Sequence, residues 1–238
     1  MRIPDVIETL RGQGAFSSEE AACVAIHDFV RDEIAFGFTA GFESVTPEHT
    51  LALQRGHCNA QGDLFCALLQ AAGIPARLRF VALDKRVLFG AVPLPVYYCL
   101  PVRLFHAVSQ VRVAGRWWHT DSYLFQPAML HLQKQRLAES GLAVGFGLTA
   151  AASGDWDARQ DSFSQANAGD LDESNPVFAT QAEALAARAG NNRLFGIHFN
   201  RWLSLVPLGL HRFAEGYLNS RLPLPEPSGI GDGAVLRR

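Results

Sequence analysis

The sequence lacks the features that mark a nucleic-acid-binding or membrane-spanning protein. Its 21 lysines and arginines nearly balance its 23 aspartates and glutamates, so no excess of charge favours nucleic acid or an anionic membrane as the partner. No segment contains the roughly 18 consecutive apolar residues that a membrane span needs. Apolar residues still make up 48% of the 238 residues, which is enough for a sizeable core. We expect one large domain, or a core with an appendage.

Cysteine is also scarce, and its spacing excludes the common structural zinc patterns. The four cysteines, Cys23, Cys58, Cys66 and Cys99, contain no CxxC pair and no close metal-ligand spacing. Residues 1–5 do not begin the apolar stretch of a secretory signal. We therefore expect free thiols in the cytoplasm and neither a metal nor a cofactor. A protein exported by a leader that has been removed is the alternative.

One of these cysteines stands at the start of a predicted helix. Cys58 follows Gly56-His57 and precedes an apolar helical pattern that ends at Gly73, with Pro75 preventing its continuation. The first turn of a helix offers free backbone N–H groups and the positive end of the helix dipole, which favour a thiolate. Because the thiolate is the nucleophile of covalent catalysis, Cys58 is a candidate catalytic residue.

The order of predicted elements indicates the fold class. Helical patterns come first, strand patterns follow, and further helices occupy the last third of the chain. The predicted helices are 17–34, 46–53, 58–72, 127–142 and 181–189, and the predicted strands are 76–83, 105–113 and 116–121. Such segregation of helices from strands is typical of an α+β fold rather than a doubly wound sheet.

The last two predicted strands form a hairpin whose register brings together a histidine and an aspartate. A two-residue turn at 114–115 places Val108 opposite Asp121, so His106 and Asp121 become diagonal neighbours on one face. Their backbones would lie about 7–8 Å apart, a distance that imidazole and carboxylate side chains can span. A three-residue turn would move Asp121 to the opposite face.

Docking the start of the Cys58 helix on that face would complete a nucleophile, base and orienter from Cys58, His106 and Asp121. Each residue alone has a simpler explanation, as a core thiol, an ordinary strand histidine or a strand-end aspartate, and only their joint spacing favours catalysis. His119 is the competing base. It faces Gln110, farther from the end of the hairpin where Asp121 lies, and we rank it below His106.

These motifs resemble the transglutaminase-like superfamily. The matching parts are Gly56-His57-Cys58, the segment 68–77 and the pattern His106-Ala107 … Gly115-Arg116-Trp117 … Asp121, within about residues 17–125. The resemblance implies a papain-related α+β core in which the nucleophile helix packs on an antiparallel sheet. It also implies acyl transfer or amide hydrolysis through a Cys58 thioester, with His106 as base and Asp121 as orienter. The substrate would be a peptide, a protein or a small amide.

The surroundings of the nucleophile are less specified by the sequence. The Cys58 N–H can be one oxyanion donor, and Gln54, Gln61, Tyr97 or Tyr98 are candidates for the second. His57, beside the nucleophile, is a candidate for the substrate cleft.

Beyond the catalytic motifs, we expect residues 1–126 to form the catalytic core and residues 127–238 a helical and loop extension packed on it as one compact unit. The polar segment 153–175 lacks the ligand spacing of a calcium loop and is predicted to be a solvated loop, long enough to cover the cleft. The aromatic stretch 192–218 is predicted to be core or a partner surface.

Two other functions remain open at this point. A catalytically inactive binding module of the same fold is one, although it would more often lack a member of the triad. An acyltransferase resembling the arylamine N-acetyltransferases is the other. It would need a pocket for coenzyme A, and the sequence contains no phosphate-cradling glycine run or basic cluster.

Overall fold

The computed structural model describes residues 1–189, 192–194 and 197–223, and its architecture is α+β. In these ranges the helices are α1 Ile3–Gly12, α2 Glu19–Glu33, α3 Pro47–Leu53, α4 Cys58–Ala71, α5 Leu94–Cys99, α6 Pro127–Glu139, α7 Gln181–Ala186, α8 Phe199–Ser204 and α9 His211–Leu218. The strands are β1 Ala35–Phe36, β2 Arg55–Gly56, β3 Ala76–Asp84, β4 Arg103–Val113, β5 Arg116–Thr120, β6 Val144–Gly145, β7 Leu148–Thr149, β8 Val177–Phe178, β9 Arg193–Leu194 and β10 Ile197–His198.

The central sheet is antiparallel and has the strand order β5-β4-β3-β8. Strands β4 and β5 pair from Val113↔Arg116 to Ser109↔Thr120, so the predicted hairpin register is confirmed as far as Thr120. The turn residues Ala114 and Gly115 have φ angles of 50° and 80°. Two positive φ values are what a type I′ turn needs, and this turn matches the twist of the strands that it joins.

Helix α4, which begins at Cys58, packs on β3 and β4, while α1, α2 and α3 cover its other sides. Its apolar residues Leu64, Phe65, Leu68 and Leu69 are fully buried as a result. Complete burial of such a side chain stabilises the fold by roughly 1.5–3 kcal/mol. The helix ends where predicted, because Gly73 adopts the left-handed conformation (φ 85°) that a side chain would oppose.

The last third of the chain contributes to the same core. Leu137, Leu148 and Trp156 belong to the main buried cluster, together with residues of α2 and α4. The predicted extension 127–238 includes residues 190–191, 195–196 and 224–238, which lie outside the described part. Of these, residues 195–196 also fall within the predicted stretch 192–218. Of the helices in the described ranges, none combines the length and the apolarity needed to cross a bilayer.

Two segments differ from their prediction. No helix or strand is predicted for residues 84–103, which contain three prolines, yet this segment includes the short helix α5. One of its prolines, Pro95, stands in the first turn, where a proline is tolerated. The prediction of a solvated loop is wrong for residues 162–166. Ser162, Ser164, Gln165 and Ala166 are buried there, because their backbone groups pair with the end of β5 and with Asp121.

Candidate active site

Cys58 is the first residue of α4, as the sequence predicts. The parallel pairing of β1 with β2 holds the preceding backbone, and Gly56 permits the close approach to the helix. A Cβ at Gly56 would lie 3.0 Å from Thr50 Cγ2 and 3.2 Å from Ala60 Cβ. The Cys58 N–H belongs to the first turn, where no preceding helical carbonyl can accept it. Half-buried Cys58 therefore lines the cavity with a free thiol, and its N–H has no acceptor within the helix.

His106 and Asp121 are in direct contact. The Nε2 atom of His106 lies 2.8 Å from Asp121 Oδ2, and the two side chains are only 2% and 0% exposed. With Nε2 occupied, the ring offers Nδ1, which has no hydrogen-bond partner within the described residues, the Cys58 sulfur included, although the charge of Cys58 acts on the same ring. The sulfur of Cys58 also has Asn59 Oδ1 as a weak acceptor at 3.6 Å.

The electrostatic balance at His106 favours its charged form. Burial is the largest single influence and lowers its pKa. The negative charge of Cys58 and the hydrogen bond that His106 donates to Asp121 together outweigh burial and raise the pKa to about 10. His106 is therefore an imidazolium at neutral pH, and a positive charge in this place favours a thiolate beside it.

Asp121 does not occupy the ladder position that the register predicts. Strand β5 ends at Thr120, and Asp121 has φ −133° and ψ 17°, so its carboxylate reaches His106 from a bend rather than from a paired strand. Three consecutive backbone N–H groups donate to this carboxylate: Ser164 at 2.5 Å, Gln165 at 3.2 Å and Ala166 at 2.9 Å. The acidic segment thus supplies the donors that a buried carboxylate requires. Backbone donors leave no signature in the sequence.

Glu43 is a second buried carboxylate, and sequence analysis did not identify it. Its Oε1 accepts from the Asn59 amide at 3.0 Å and from the Asn192 amide, and its Oε2 lies 2.9 Å from His198 Nε2. Asn59 in turn accepts the Ala107 N–H at 2.8 Å. The residue after the nucleophile is therefore tied to the residue after His106, and this fixes α4 against β4. Only its burial between polar partners reveals Glu43 as part of the site.

His57 lines the cavity, where the sequence placed it as a candidate. Its ring stacks on Phe42, with centroids 4.5 Å apart and planes at 9°. Both ring nitrogens are buried and lack a hydrogen-bond partner within the described residues. Burial lowers its pKa to about 4, with a smaller opposing influence from Glu43 and a reinforcing one from His106. His57 is therefore neutral at pH 7.

The buried His57 predicts acid sensitivity of the fold. Its folded pKa, about 4, lies below its ordinary value of 6.5, so between these pH values the unfolded chain binds the extra proton. Folding stability then falls as pH falls, by roughly 2 kcal/mol between pH 7 and 4.5. The variant His57→Phe keeps an aromatic ring against Phe42. We expect its loss of unfolding free energy over this pH range, measured by urea unfolding, to be smaller than that of the wild type by about that amount.

Asp63 supplies a control of opposite sign. Burial raises its pKa to about 6, so the folded state binds the extra proton and gains stability as pH falls. Asp63→Asn should therefore steepen the loss in acid by about 2 kcal/mol between pH 7 and 4.5. An acid loss in His57→Phe equal to that of the wild type would contradict the assignment to His57.

The structure does not bring the four candidate oxyanion side chains to the cavity. The Gln61 amide donates to the Ile34 and Leu124 carbonyls at 2.8 and 3.3 Å, and Gln54 is exposed at the end of α3. The Tyr97 ring packs against Phe89, and Tyr98 is 73% exposed.

His119 lies away from the site, as the register predicts. Its Nε2 is 2.7 Å from Gln110 Nε2, and its Nδ1 is 3.3 Å from the Asp161 carboxylate. His119 and Asp161 thus form a second, partly exposed histidine–aspartate pair on the hairpin.

A cavity of about 430 Å³ opens at Cys58 and His106. Gln165 and Trp202 also line it, although sequence analysis did not select either. Throughout the ranges that the structure describes, no three histidine, cysteine, aspartate or glutamate side chains are grouped so that they could hold a metal ion.

Comparison with known proteins agrees with this arrangement. Residues 9–122 match the family model of the Transglutaminase-like superfamily. A solved structure of a candidate cysteine protease from Cytophaga hutchinsonii is 19% identical, with a TM-score of 0.35, over 49% of this chain and 36% of that one, so the chain spans about a third of its length. No curated protein matches the chain. Over residues 9–122 the chain is therefore similar to the transglutaminase-like superfamily, as its cysteine, histidine and aspartate motifs indicate.

Proposed function

We propose that this protein is a thiol-dependent acyl-transfer enzyme that acts on an amide or ester carbonyl. The observation that carries the proposal is the position of His106, which is buried, bound to Asp121 through Nε2 and left with an Nδ1 unpaired among the described residues, at the cavity that Cys58 also lines. A general base must lie between its orienter and the nucleophile in this way. The match of residues 9–122 to the transglutaminase-like superfamily, whose members include thiol enzymes, supports the same conclusion.

The proposed reaction has two halves. In the first, the Cys58 thiolate attacks the carbonyl carbon, and the oxyanion that forms is stabilised by the Cys58 N–H at the start of α4. The intermediate collapses to a thioester, and His106 gives its Nδ1 proton to the departing amine or alcohol. In the second, His106 removes a proton from water or an amine, which attacks the thioester and releases the acyl product and the Cys58 thiolate.

The two alternative functions fit less well. A binding module would have no need for a buried carboxylate with three backbone donors directed at one histidine. A coenzyme A-dependent enzyme must pair with phosphates. Among the described residues, however, no lysine or arginine lines the cavity.

Site-resolved alkylation tests the proposal. We expect iodoacetamide at pH 6 to modify Cys58 at least about tenfold faster than Cys99, the exposed reference thiol. Cys23 and Cys66 should stay unmodified, because burial raises the pKa of each thiol to about 12. Peptide mass mapping over time gives each rate within one sample. The Cys58→Ala variant reports the background modification of the other thiols.

The same mapping should detect the intermediate. Brief incubation with an activated acyl ester, followed by acid quenching, should add one acyl group at Cys58 and none in Cys58→Ala. Cys99 labelled as fast as Cys58, together with no acyl adduct, would refute the proposed function.

A further inference from the structure

The cavity at Cys58 is almost entirely apolar. Its walls come from the end of β3, the turn at Lys85–Leu88, α5 and the start of β4, and include Leu83, Val87, Val92, Val96 and Leu104. Aromatic rings from the β1 region and from α8 complete the lining. No described lining residue is a lysine, arginine, aspartate or glutamate.

The few polar groups of the cavity either belong to the proposed catalytic residues and their sequence neighbours or already make hydrogen bonds within the protein. The Asn192 amide donates to the Phe105 carbonyl at 3.1 Å and to Glu43, and the Gln165 amide donates to the Gly147 carbonyl at 2.6 Å. The Asn59 amide is likewise bonded to Glu43. The nitrogens of His57 and Nδ1 of His106 lack such bonds. Polar recognition is therefore available beside the reacting carbonyl and little elsewhere.

We propose that the cavity binds the acyl part of the substrate and that this part is a neutral aliphatic chain, as in a fatty amide or ester. The inference rests on the proposed function, because it requires that Cys58 become acylated by the substrate. A charged or strongly polar acyl group would be buried here without partners, which costs several kcal/mol. The transfer of an aliphatic chain from water into this cavity instead lowers the free energy.

The volume indicates the length of the chain. If a methylene occupies about the same space as a water molecule, ~30 Å³, the cavity of about 430 Å³ holds on the order of ten carbon atoms with some room left. This volume lies within the range of ~300–1,000 Å³ that is usual for small-molecule sites.

A series of p-nitrophenyl esters from acetyl to decanoyl tests the inference. Each methylene transferred from water into an apolar site should raise kcat/KM about fourfold. The octanoyl ester should therefore exceed the acetyl ester by on the order of 10³-fold. Release of p-nitrophenol gives the rates, and Cys58→Ala gives the background hydrolysis of each ester.

A variant that narrows the cavity provides the second measurement. Val96 lines the cavity from α5, whereas Leu94 on the same helix is exposed and lies outside that lining. Val96→Phe should lower the octanoyl-to-acetyl ratio of kcat/KM at least about tenfold, and Leu94→Phe should leave that ratio unchanged. The ratio does not depend on how much of the sample is folded.

The outcomes separate the two proposals. A rate that depends on Cys58 but stays constant or falls with chain length would overturn the proposal of an aliphatic acyl group. It would not overturn the proposal of a thiol-dependent enzyme. An unaltered ratio in Val96→Phe would also overturn it. Equal hydrolysis by the wild type and Cys58→Ala for every ester would instead refute the proposed function.

Discussion

Replacing His106 by glutamine is expected to lower kcat for an activated ester at least about 10³-fold. Glutamine can neither take the proton of the thiol nor return it to the leaving group, so both halves of the proposed reaction lose their proton carrier. The amide still fills much of the space of the ring, which limits the damage to packing around Asp121.

The pH dependence of Cys58 alkylation should change in the same variant. In the wild type the pKa of His106 is raised to about 10, so the imidazolium that accompanies the thiolate persists up to that pH. Alkylation of Cys58 should then be nearly constant between pH 6 and 9. In His106→Gln the rate should rise with pH as for an ordinary thiol, whose pKa is about 8.5.

His119→Gln is the matched control for His106→Gln. This second histidine also lies on the hairpin beside an aspartate, yet it contacts Gln110 and Asp161 instead of the cavity. We expect wild-type kcat and a wild-type alkylation profile. A comparable loss in both variants would mean that the hairpin histidines act on folding, not on chemistry.

Local sequence signals were sufficient to predict the framework of the site. The start of α4 at Cys58 and its end at Gly73 follow from the helix pattern and from glycine's freedom at positive φ. The hairpin register follows from the two residues Ala114 and Gly115, and it brought His106 and Asp121 to one region. Each of these predictions depends on neighbours close in the chain, where turn geometry and periodicity decide the structure.

The supports of the site could not be predicted in this way. The donors to Asp121 are backbone N–H groups of Ser164, Gln165 and Ala166, which any residue except proline supplies. Glu43 meets Asn192 from a distant part of the chain, so no local spacing relates them. Such contacts follow from tertiary packing of long segments, and the polar composition of 153–175 misled the prediction towards solvent.

The arrangement around Asp121 predicts that a change of one atom there affects both activity and stability. The Asp121 carboxylate accepts hydrogen bonds from His106 and from three backbone N–H groups. In Asp121→Asn one oxygen remains to accept them, and the new NH₂ group faces donors. Leaving about two buried donors unsatisfied should cost roughly 2–5 kcal/mol of folding free energy, measured as a lower urea midpoint.

The loss of activity in Asp121→Asn should be about 10²–10⁴-fold in kcat, because an amide that donates to His106 Nε2 selects the tautomer with its proton on Nδ1, which cannot accept the Cys58 proton. Asp161→Asn is the control, since Asp161 binds the partly exposed His119. It should cost less than about 1 kcal/mol and leave kcat unchanged. An Asp121→Asn protein with normal kcat would show that the carboxylate serves the fold alone. A normal urea midpoint would show instead that the loop at 164–166 rearranges to satisfy its own donors.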